Sequence, residues 1–237
     1  SDRLVLLLAT GAPHRVGLAV QEHDRAYTIA VPRPPDAAEM HHIDLLARLA
    51  APFGFEPEAI DWRPSLPLAA SERNAADILW TSAGAGAGRL LVLVNVSAGG
   101  DRARHWPVER FIDLVRHVRS RRPAAAALVI GLPADQDDLQ RIAREAAVTA
   151  ATPSLWESFA LVASADVLVT PDTALTHAAS AFGTPACVLF QRGKEAWTPY
   201  RSPGRSVISD DARSLAQLPA ERLIEALDEL LAETPEV

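Results

Sequence analysis

Glycines, a hydroxyl and a cation follow one short apolar run of the sequence, within the segment 95–107. Gly99 and Gly100 allow the backbone to approach a ligand closely. Ser97 supplies a hydroxyl, and Arg104 supplies positive charge just before a predicted helix. These residue types suit a phosphate group, because the start of a helix also attracts anions. An ordinary strand-to-helix loop with solvated arginines is the alternative that composition leaves open.

A second candidate segment, residues 169–177, follows another apolar run. Asp172 is the predicted N-cap of a helix, which leaves backbone N–H groups and the Thr173 hydroxyl facing a ligand. His177 comes one helical turn after Thr173, so both side chains can line the same edge. Alone, Asp172 is expected to be a helix cap and His177 a structural residue. The spacing of the three residues, rather than any one of them, indicates a site.

Two weaker features involve acidic residues and histidines. Asp135 ends the segment 131–135, where its carboxylate can accept hydrogen bonds from a ribose or cap the helix that follows. The sequence His41-His42-x-Asp44 suggests a metal site, but adjacent side chains diverge on a helix and no further ligands cluster around them. We therefore assign no metal ligands and expect these histidines to be solvated surface groups.

Two nucleotide-binding classes lack their motifs in this sequence. No Gly-Lys-Ser/Thr follows the glycines of segment 95–107, so a P-loop is disfavoured. The G-x-G-x-x-G fingerprint is missing too, which disfavours an NAD-dependent oxidoreductase. No cofactor is expected.

The elements that must position these residues alternate regularly in the second part of the chain. Apolar, strand-like runs are separated by amphipathic, helix-length stretches, and the predicted strands are 90–96, 127–132, 166–170 and 186–190. This pattern predicts an α/β domain with a doubly wound parallel sheet, whose ligands bind at the carboxyl ends of the strands. The small residues of 83–88 are the predicted linker between an N-terminal domain, 1–82, and a C-terminal domain, 89–237.

Composition excludes several other classes of protein. The 237 residues are 49% hydrophobic and 22% charged, unlike a disordered chain, and the net charge of −7 argues against general nucleic-acid binding. Cys187 is the single cysteine, so an intramolecular disulfide is impossible and a reducing, cytoplasmic setting is expected. No apolar stretch is long enough to span a membrane. The arginines of 108–122 predict a solvated helix face with weak attraction to anionic lipid.

Together these motifs resemble glycosyltransferase family 9, the lipopolysaccharide heptosyltransferase-like enzymes. The likeness rests on a basic-x-Trp-Pro-x-x-x-Phe element, an Asp-Thr-x-x-x-His element and a small-residue helix ending in Gly-x-Pro, in the family's order. In this sequence the matching segments are Arg104–Phe111, Asp172–His177, Gly183–Pro185, Trp197–Tyr200 and Gly11–Gly17. The resemblance covers most of the chain.

The resemblance implies a GT-B architecture, with two Rossmann-like domains and a sugar-nucleotide donor held mainly by the C-terminal one. It implies donor contacts from two groups of residues, one around phosphate and one around the pyrophosphate and sugar. The residues expected around phosphate are Ser97, Gly99, Gly100 and Arg104, and those expected at the pyrophosphate and sugar are Asp172, Thr173 and His177. Asp135 is a further donor-binding candidate on its position in the sequence, apart from the resemblance. Arg104 stands where the family often has Lys, and Ala174 stands where Gly is usual, so the geometry at the phosphate is expected to differ.

The family's acidic residue, which acts as base on the acceptor, lies in a Gly-Asp-containing loop upstream of the segment that matches Gly11–Gly17. Nothing in this sequence corresponds to that loop, so we assign no catalytic residue and expect an incomplete acceptor-side domain. The expected function is inverting, metal-independent transfer of a sugar, with heptose favoured, from an ADP-type donor to a saccharide or lipid-linked acceptor. A non-catalytic sugar-nucleotide-binding module or scaffold is the alternative. The expected location is cytoplasmic, with peripheral contact at the inner membrane face left open.

Overall fold

The computed structural model describes residues 8–20, 24–100 and 102–233. Contacts between residues divide the chain into a smaller unit, Ser1–Trp62, and a larger unit, Arg63–Val237. All candidate donor-binding residues belong to the larger unit.

Among the described residues of the smaller unit are two short parallel strands and a short helix. These are β1 (Val16–Leu18), β2 (Ile29–Val31) and α1 (His42–Ala47), which a 3-10 helix, Arg48–Phe53, extends. Gly17 is needed in β1 because the ring of Tyr27 packs where a Cβ atom would lie, about 2.2 Å away. His41 is the N-cap of α1, since its Nδ1 accepts a hydrogen bond from the Ile43 N–H at 3.1 Å.

The larger unit is built on a six-stranded parallel sheet with strand order β5-β4-β3-β6-β7-β8. The strands are β3 (Leu91–Asn95), β4 (Ala126–Ile130), β5 (Thr149–Ala151), β6 (Val167–Pro171), β7 (Ala186–Gln191) and β8 (Gly204–Ser209). The helices are α2 (Ala70–Ser82), α3 (Val108–Arg121), α4 (Gln136–Ala146), α5 (Leu155–Ser164), α6 (Ala174–Phe182) and α7 (Ala220–Glu233). From the adjacent strands β3 and β6 the chain proceeds in opposite directions, which creates a topological switch point.

Helices cover both faces of this sheet because its strands are apolar on both sides. Val92 and Val94 of β3 pack in a core with α3, α4 and α7, whereas Leu93 packs in a second core with α2, α5 and α6. This is the doubly wound α/β architecture that the sequence predicted. The predicted strands of this unit agree closely with the observed ones, except that β5 and β8 were not predicted.

The boundary between the units differs from the predicted linker. Residues 83–88 lie inside the larger unit, because α2, which precedes them, packs on α5 of that unit. The Trp80 indole N–H donates to Ser164 Oγ at 2.9 Å, and the Thr149 hydroxyl donates to the Ser82 carbonyl at 3.0 Å. These contacts fasten α2 to the sheet, so the division falls between Trp62 and Arg63.

The arginines of α3 include an exposed set, Arg116, Arg119 and Arg121, as the predicted solvated face requires, but several of the arginines also bond neighbouring elements. Arg116 donates to the Glu145 carbonyl at 3.1 Å, and Arg119 donates to the Ala146 carbonyl at 2.8 Å, at the end of α4. Arg110 donates to the Leu218 carbonyl. These side chains hold neighbouring elements together. None of the helices in the described residues is long and apolar enough to cross a membrane.

Candidate functional site

A cavity of about 240 Å³ opens at the carboxyl ends of β3 and β4, beside the switch point. Its wall is largely apolar and includes Ile130, Pro153 and Leu175. Two leucines of the wall, Leu132 and Leu155, expose 47% and 56% of their surface. Large apolar groups left in contact with water around a concave site are typical of ligand pockets.

One side of the cavity is fixed by a cluster around Ser97. The Ser97 hydroxyl donates to Oδ2 of Asp135 and accepts from the Leu132 N–H, the latter at 2.6 Å. Gly131 permits this contact, because a Cβ atom there would lie 2.9 Å from Ser97 Oγ. The cluster therefore ties the loop after β3 to the loop after β4. Both hydrogen bonds of the Ser97 hydroxyl in this cluster are to other groups of the protein.

A buried amide joins β3 to β6 directly beneath the site. Asn95 Nδ2 donates to the Ser97 carbonyl at 3.0 Å and to the Thr170 hydroxyl at 2.9 Å. Its Oδ1 accepts from the Ser97 N–H at 3.2 Å. Asn95 is 5% exposed and Thr170 is fully buried. Because a buried amide must satisfy its hydrogen bonds, this bridge fixes the spacing of the two loops.

The start of α6 points into the same region and is capped by a residue other than the predicted one. Thr173, not Asp172, is the N-cap: its hydroxyl accepts from the Leu175 N–H at 3.2 Å, while Thr176 Oγ1 accepts from the Thr173 N–H at 3.5 Å. The Thr170 hydroxyl lies 3.1 Å from Thr173 Oγ1. The prediction that Asp172 caps this helix is therefore wrong, because Thr173 has the extended backbone that a cap requires.

Asp172 instead pairs with Arg104 of the β3 loop, which we define as residues 96–107. Arg104 donates to the Asp172 carbonyl oxygen at 2.9 Å, and its guanidinium lies 4.0 Å from the carboxylate. Burial raises the pKa of the Asp172 carboxyl above its usual range, and the positive charges of Arg104, His177 and Lys194 oppose the rise. The structure thus brings Arg104 and Asp172 together at the start of α6.

The glycines of the β3 loop have different roles. Gly99 lines the cavity and has φ of +68°, a conformation that only glycine adopts without strain. Gly100 follows on the exposed side, where an added Cβ would meet open space. The Gly99 carbonyl lies 3.2 Å from Nε2 of His105, and this contact stabilises the loop.

His177 lies one turn into α6, half-buried, beside an aromatic side chain that follows β7. The ring centroids of His177 and Trp197 are 6.2 Å apart, with the rings inclined at 63°. The spacing of Thr173 and His177 predicted that both line one edge, but no sequence pattern indicated a role for Trp197. Asn95, Thr170 and the leucines of the cavity were not predicted either, because their proximity depends on pairing between distant strands.

Metal ligands do not gather in the part of the chain that the structure describes. Within residues 8–20, 24–100 and 102–233, no three His, Cys, Asp or Glu side chains form a cluster that could hold a metal ion. His41 and His42, the one pair that suggested such a site, lie at the start of α1.

Comparison with known structures identifies proteins of the same fold. A glycosyl transferase family 9 protein from Veillonella parvula aligns with a TM-score of 0.78 and 18% identity, over 98% of this chain and 72% of that one. Escherichia coli ADP-heptose lps heptosyltransferase II aligns at 0.66 and 18% identity, over 98% of this chain and 74% of that one. These likenesses establish the GT-B-type α/β fold.

A third similar structure is also that of a heptosyltransferase. Escherichia coli heptosyltransferase WaaC with ADP-2-deoxy-2-fluoro heptose aligns with a TM-score of 0.64 and 17% identity, over 91% of this chain and 65% of that one. A search of curated protein sequences finds no match. The family described as glycosyltransferase family 9 (heptosyltransferase) matches residues 5–224, nearly the whole sequence. The chain therefore belongs to glycosyltransferase family 9, and it is a glycosyltransferase of the heptosyltransferase type.

Proposed function

We propose that this chain transfers a sugar, with heptose favoured, from a nucleoside-diphosphate donor of the ADP type to a saccharide or lipid-linked acceptor. We further propose that transfer inverts the anomeric centre and needs no metal. Family membership supports the class of reaction. The main observation in support of a donor site is the cavity at the switch point. This cavity is lined by exposed leucines and by the start of α6.

The wall of the cavity suits the nucleoside end of such a donor. Leu132 and Leu155 both line the cavity and are exposed, so their side chains suit contact with a flat, partly apolar base. Asp135 uses Oδ2 for its bonds to Ser97 and Leu132, so we assign Oδ1 to a ribose hydroxyl. In this arrangement Ser97 shapes the site and positions Asp135, while its hydroxyl stays bonded to that carboxylate.

The start of α6 suits the diphosphate. The Ala174 N–H lies between the Thr173 and Leu175 N–H groups, which bond the side chains of the cap, and the helix dipole favours negative charge at this end. Arg104 adds a full positive charge beside them. As the glycosidic bond breaks, the departing diphosphate gains negative charge, and fixed donors of this kind stabilise the transition state. Gly99 and Gly100 leave room for the phosphates in front of the β3 loop.

The experiment is calorimetric titration of ADP into the wild type and Arg104→Ala. Loss of a charge-assisted hydrogen bond is expected to weaken ADP binding by about 1.5–3 kcal/mol, roughly 10- to 150-fold. Arg141→Ala is the matched control, because Arg141 of α4 forms surface ion pairs with Glu109 and Glu145 and is not among the residues that line the cavity. Equal ADP affinity in all three proteins would remove Arg104 from the donor site.

A transfer assay separates the enzyme from the non-catalytic module. ADP release from ADP-heptose is measured with and without lipopolysaccharides truncated at successive core sugars, in the presence of a chelator. Acceptor-dependent release that the chelator leaves unchanged is the expected result. Donor binding without acceptor-dependent release across this series would favour the module.

A further inference from the structure

The loop after β7, residues 192–199, places a tryptophan at the same edge of the sheet as the donor site. Trp197 ends a short 3-10 helix, Glu195–Trp197, and 38% of its surface is exposed. Its ring lies 6.2 Å from that of His177, on the first turns of α6. An indole packed beside a histidine at the rim of a ligand site leaves one ring face available for contact with a bound ligand.

The position of this loop, which we call the β7 loop, is fixed at both ends. Before it, Gln191 is buried, and its Nε2 donates to the Ala103 carbonyl of the β3 loop at 3.4 Å. After it, Tyr200 is buried, and its N–H donates to the Ser180 hydroxyl of α6 at 2.7 Å. Within it, the Trp197 N–H donates to the Lys194 carbonyl at 3.0 Å. Trp197 is therefore held in place against the two elements that form the phosphate end of the site.

The strand order places the β7 loop on the side of α6 opposite the cavity. The cavity lies over β4 and β3, the start of α6 follows β6, and the β7 loop comes next in the sheet. A donor with its base in the cavity and its phosphates at α6 would therefore extend its sugar toward Asp172, His177 and Trp197. Lys194 adds a positive charge whose influence reaches the Asp172 carboxylate.

We propose that Trp197 is a specificity-determining residue whose indole packs against the carbon face of the donor sugar, next to His177 and Lys194. This inference rests on the proposed function and extends it to the part of the donor beyond the phosphates. Sugar rings carry C–H groups on their faces and hydroxyls at their edges. The indole face can pack against the C–H groups, while the Asp172 carboxylate and the Lys194 ammonium group can bond the hydroxyls.

The experiment compares ADP with ADP-heptose by calorimetry in four proteins: wild type, Trp197→Ala, Trp197→Phe and Trp156→Ala. In Trp197→Ala we expect ADP affinity within about 2-fold of wild type but ADP-heptose affinity about 10-fold weaker, the scale of one stacking contact. Trp197→Phe retains a ring and is expected to recover most of the loss. Trp156, another half-exposed tryptophan, lies on α5, and its replacement should change neither affinity.

Several outcomes would overturn the inference. Equal weakening of ADP and ADP-heptose in Trp197→Ala would show that the β7 loop only supports the phosphate site. Unchanged ADP-heptose affinity would remove Trp197 from the sugar altogether. Should Trp197→Ala fail to fold, Trp197→Phe still tests the proposal, since wild-type indole fluorescence must change with ADP-heptose more than with ADP and this difference must vanish in the variant. If the wild type binds neither nucleotide, the proposed function itself fails.

Discussion

The loops that follow β3 and β6 meet at one point of the sheet but are built in opposite ways. The β3 loop is long, and it needs a glycine with positive φ and a short 3-10 helix, Arg102–Arg104, to present the Arg104 cation. The link from β6 to α6 consists of Asp172 and Thr173 alone, both half-buried. The first supplies a charged side chain and the second supplies fixed backbone N–H groups. A site for a diphosphate gains from both, because one attracts the anion and the other orients it.

The bridge between the two loops should produce the largest loss of stability. Asn95→Ala removes three buried hydrogen bonds and leaves Thr170 and the Ser97 backbone short of partners. We expect the free energy of unfolding to fall by about 2–3 kcal/mol in urea denaturation, with weaker ADP binding. Asn74→Ala, at an exposed position of α2, is the matched control and should change stability by less than about 0.5 kcal/mol. A small loss in Asn95→Ala would show that the loops are positioned independently.

The cap of α6 should have an effect of intermediate size. Thr173→Ala removes the side chain that bonds the Leu175 N–H and is expected to cost about 1 kcal/mol of unfolding free energy. Thr173→Ser keeps that bond and should stay close to wild type. Asp172→Asn should also retain stability, because Asp172 is not the cap. Thermal denaturation that ranked Asp172→Asn below Thr173→Ala would reverse this assignment.

The pKa of Asp172 should depend on the positive charge of Arg104 in the β3 loop. Because burial raises its folded pKa above the unfolded value of about 3.9, the folded state binds the proton more tightly, and stability falls as pH rises through that interval. Asp172→Asn should lack this component. Arg104→Ala removes an opposing cation, so the pKa of Asp172 should rise further. Carboxyl ¹³C titration by NMR measures this directly, and an unchanged pKa would show that the loops are not electrically coupled.

The smallest effect is expected in the sheet beneath the loops. Burial raises the pKa of the Cys187 thiol in β7 to about 12, so it should not react with a disulfide reagent in the native protein at neutral pH. The same protection should persist in the Thr173 and Arg104 variants if they alter the loops alone. Rapid labelling in those variants, as fast as in concentrated guanidinium, would show that the changes reach the sheet.

The sequence predicted most of the regular elements of the larger unit because its central strands are continuous apolar runs and its helices are amphipathic. It missed β5 and β8, the edge strands, since partly exposed strands lack that signal; β8 contains Gly204, Arg205 and Ser206. It also placed the domain boundary at the small residues of 83–88. The contact of Trp80 with Ser164, which fastens α2 beyond that boundary, joins residues too far apart for local patterns to reveal.

The arrangement of residues in the candidate site could also be predicted only in part. Loops after parallel strands are expected to carry ligands, and this rule found the β3 loop and the start of α6. The capping residue of α6 was not predictable, since Asp172 and Thr173 are both good caps and backbone conformation decides between them. The contact of Ser97 with Asp135 was also hidden, although both had been assigned to the donor separately.

Mapping ADP on the backbone amides of the larger unit tests the donor site most directly. In a ¹⁵N-resolved NMR titration, we expect the largest shifts at the N–H groups of Gly99 and of Thr173, Ala174 and Leu175 at the start of α6. The amides of α7, which pack on the sheet face away from α6, should hardly move. Shifts concentrated outside the β3 loop and the start of α6, or no shifts at saturating ADP, would contradict the proposal that these two loops together hold the donor.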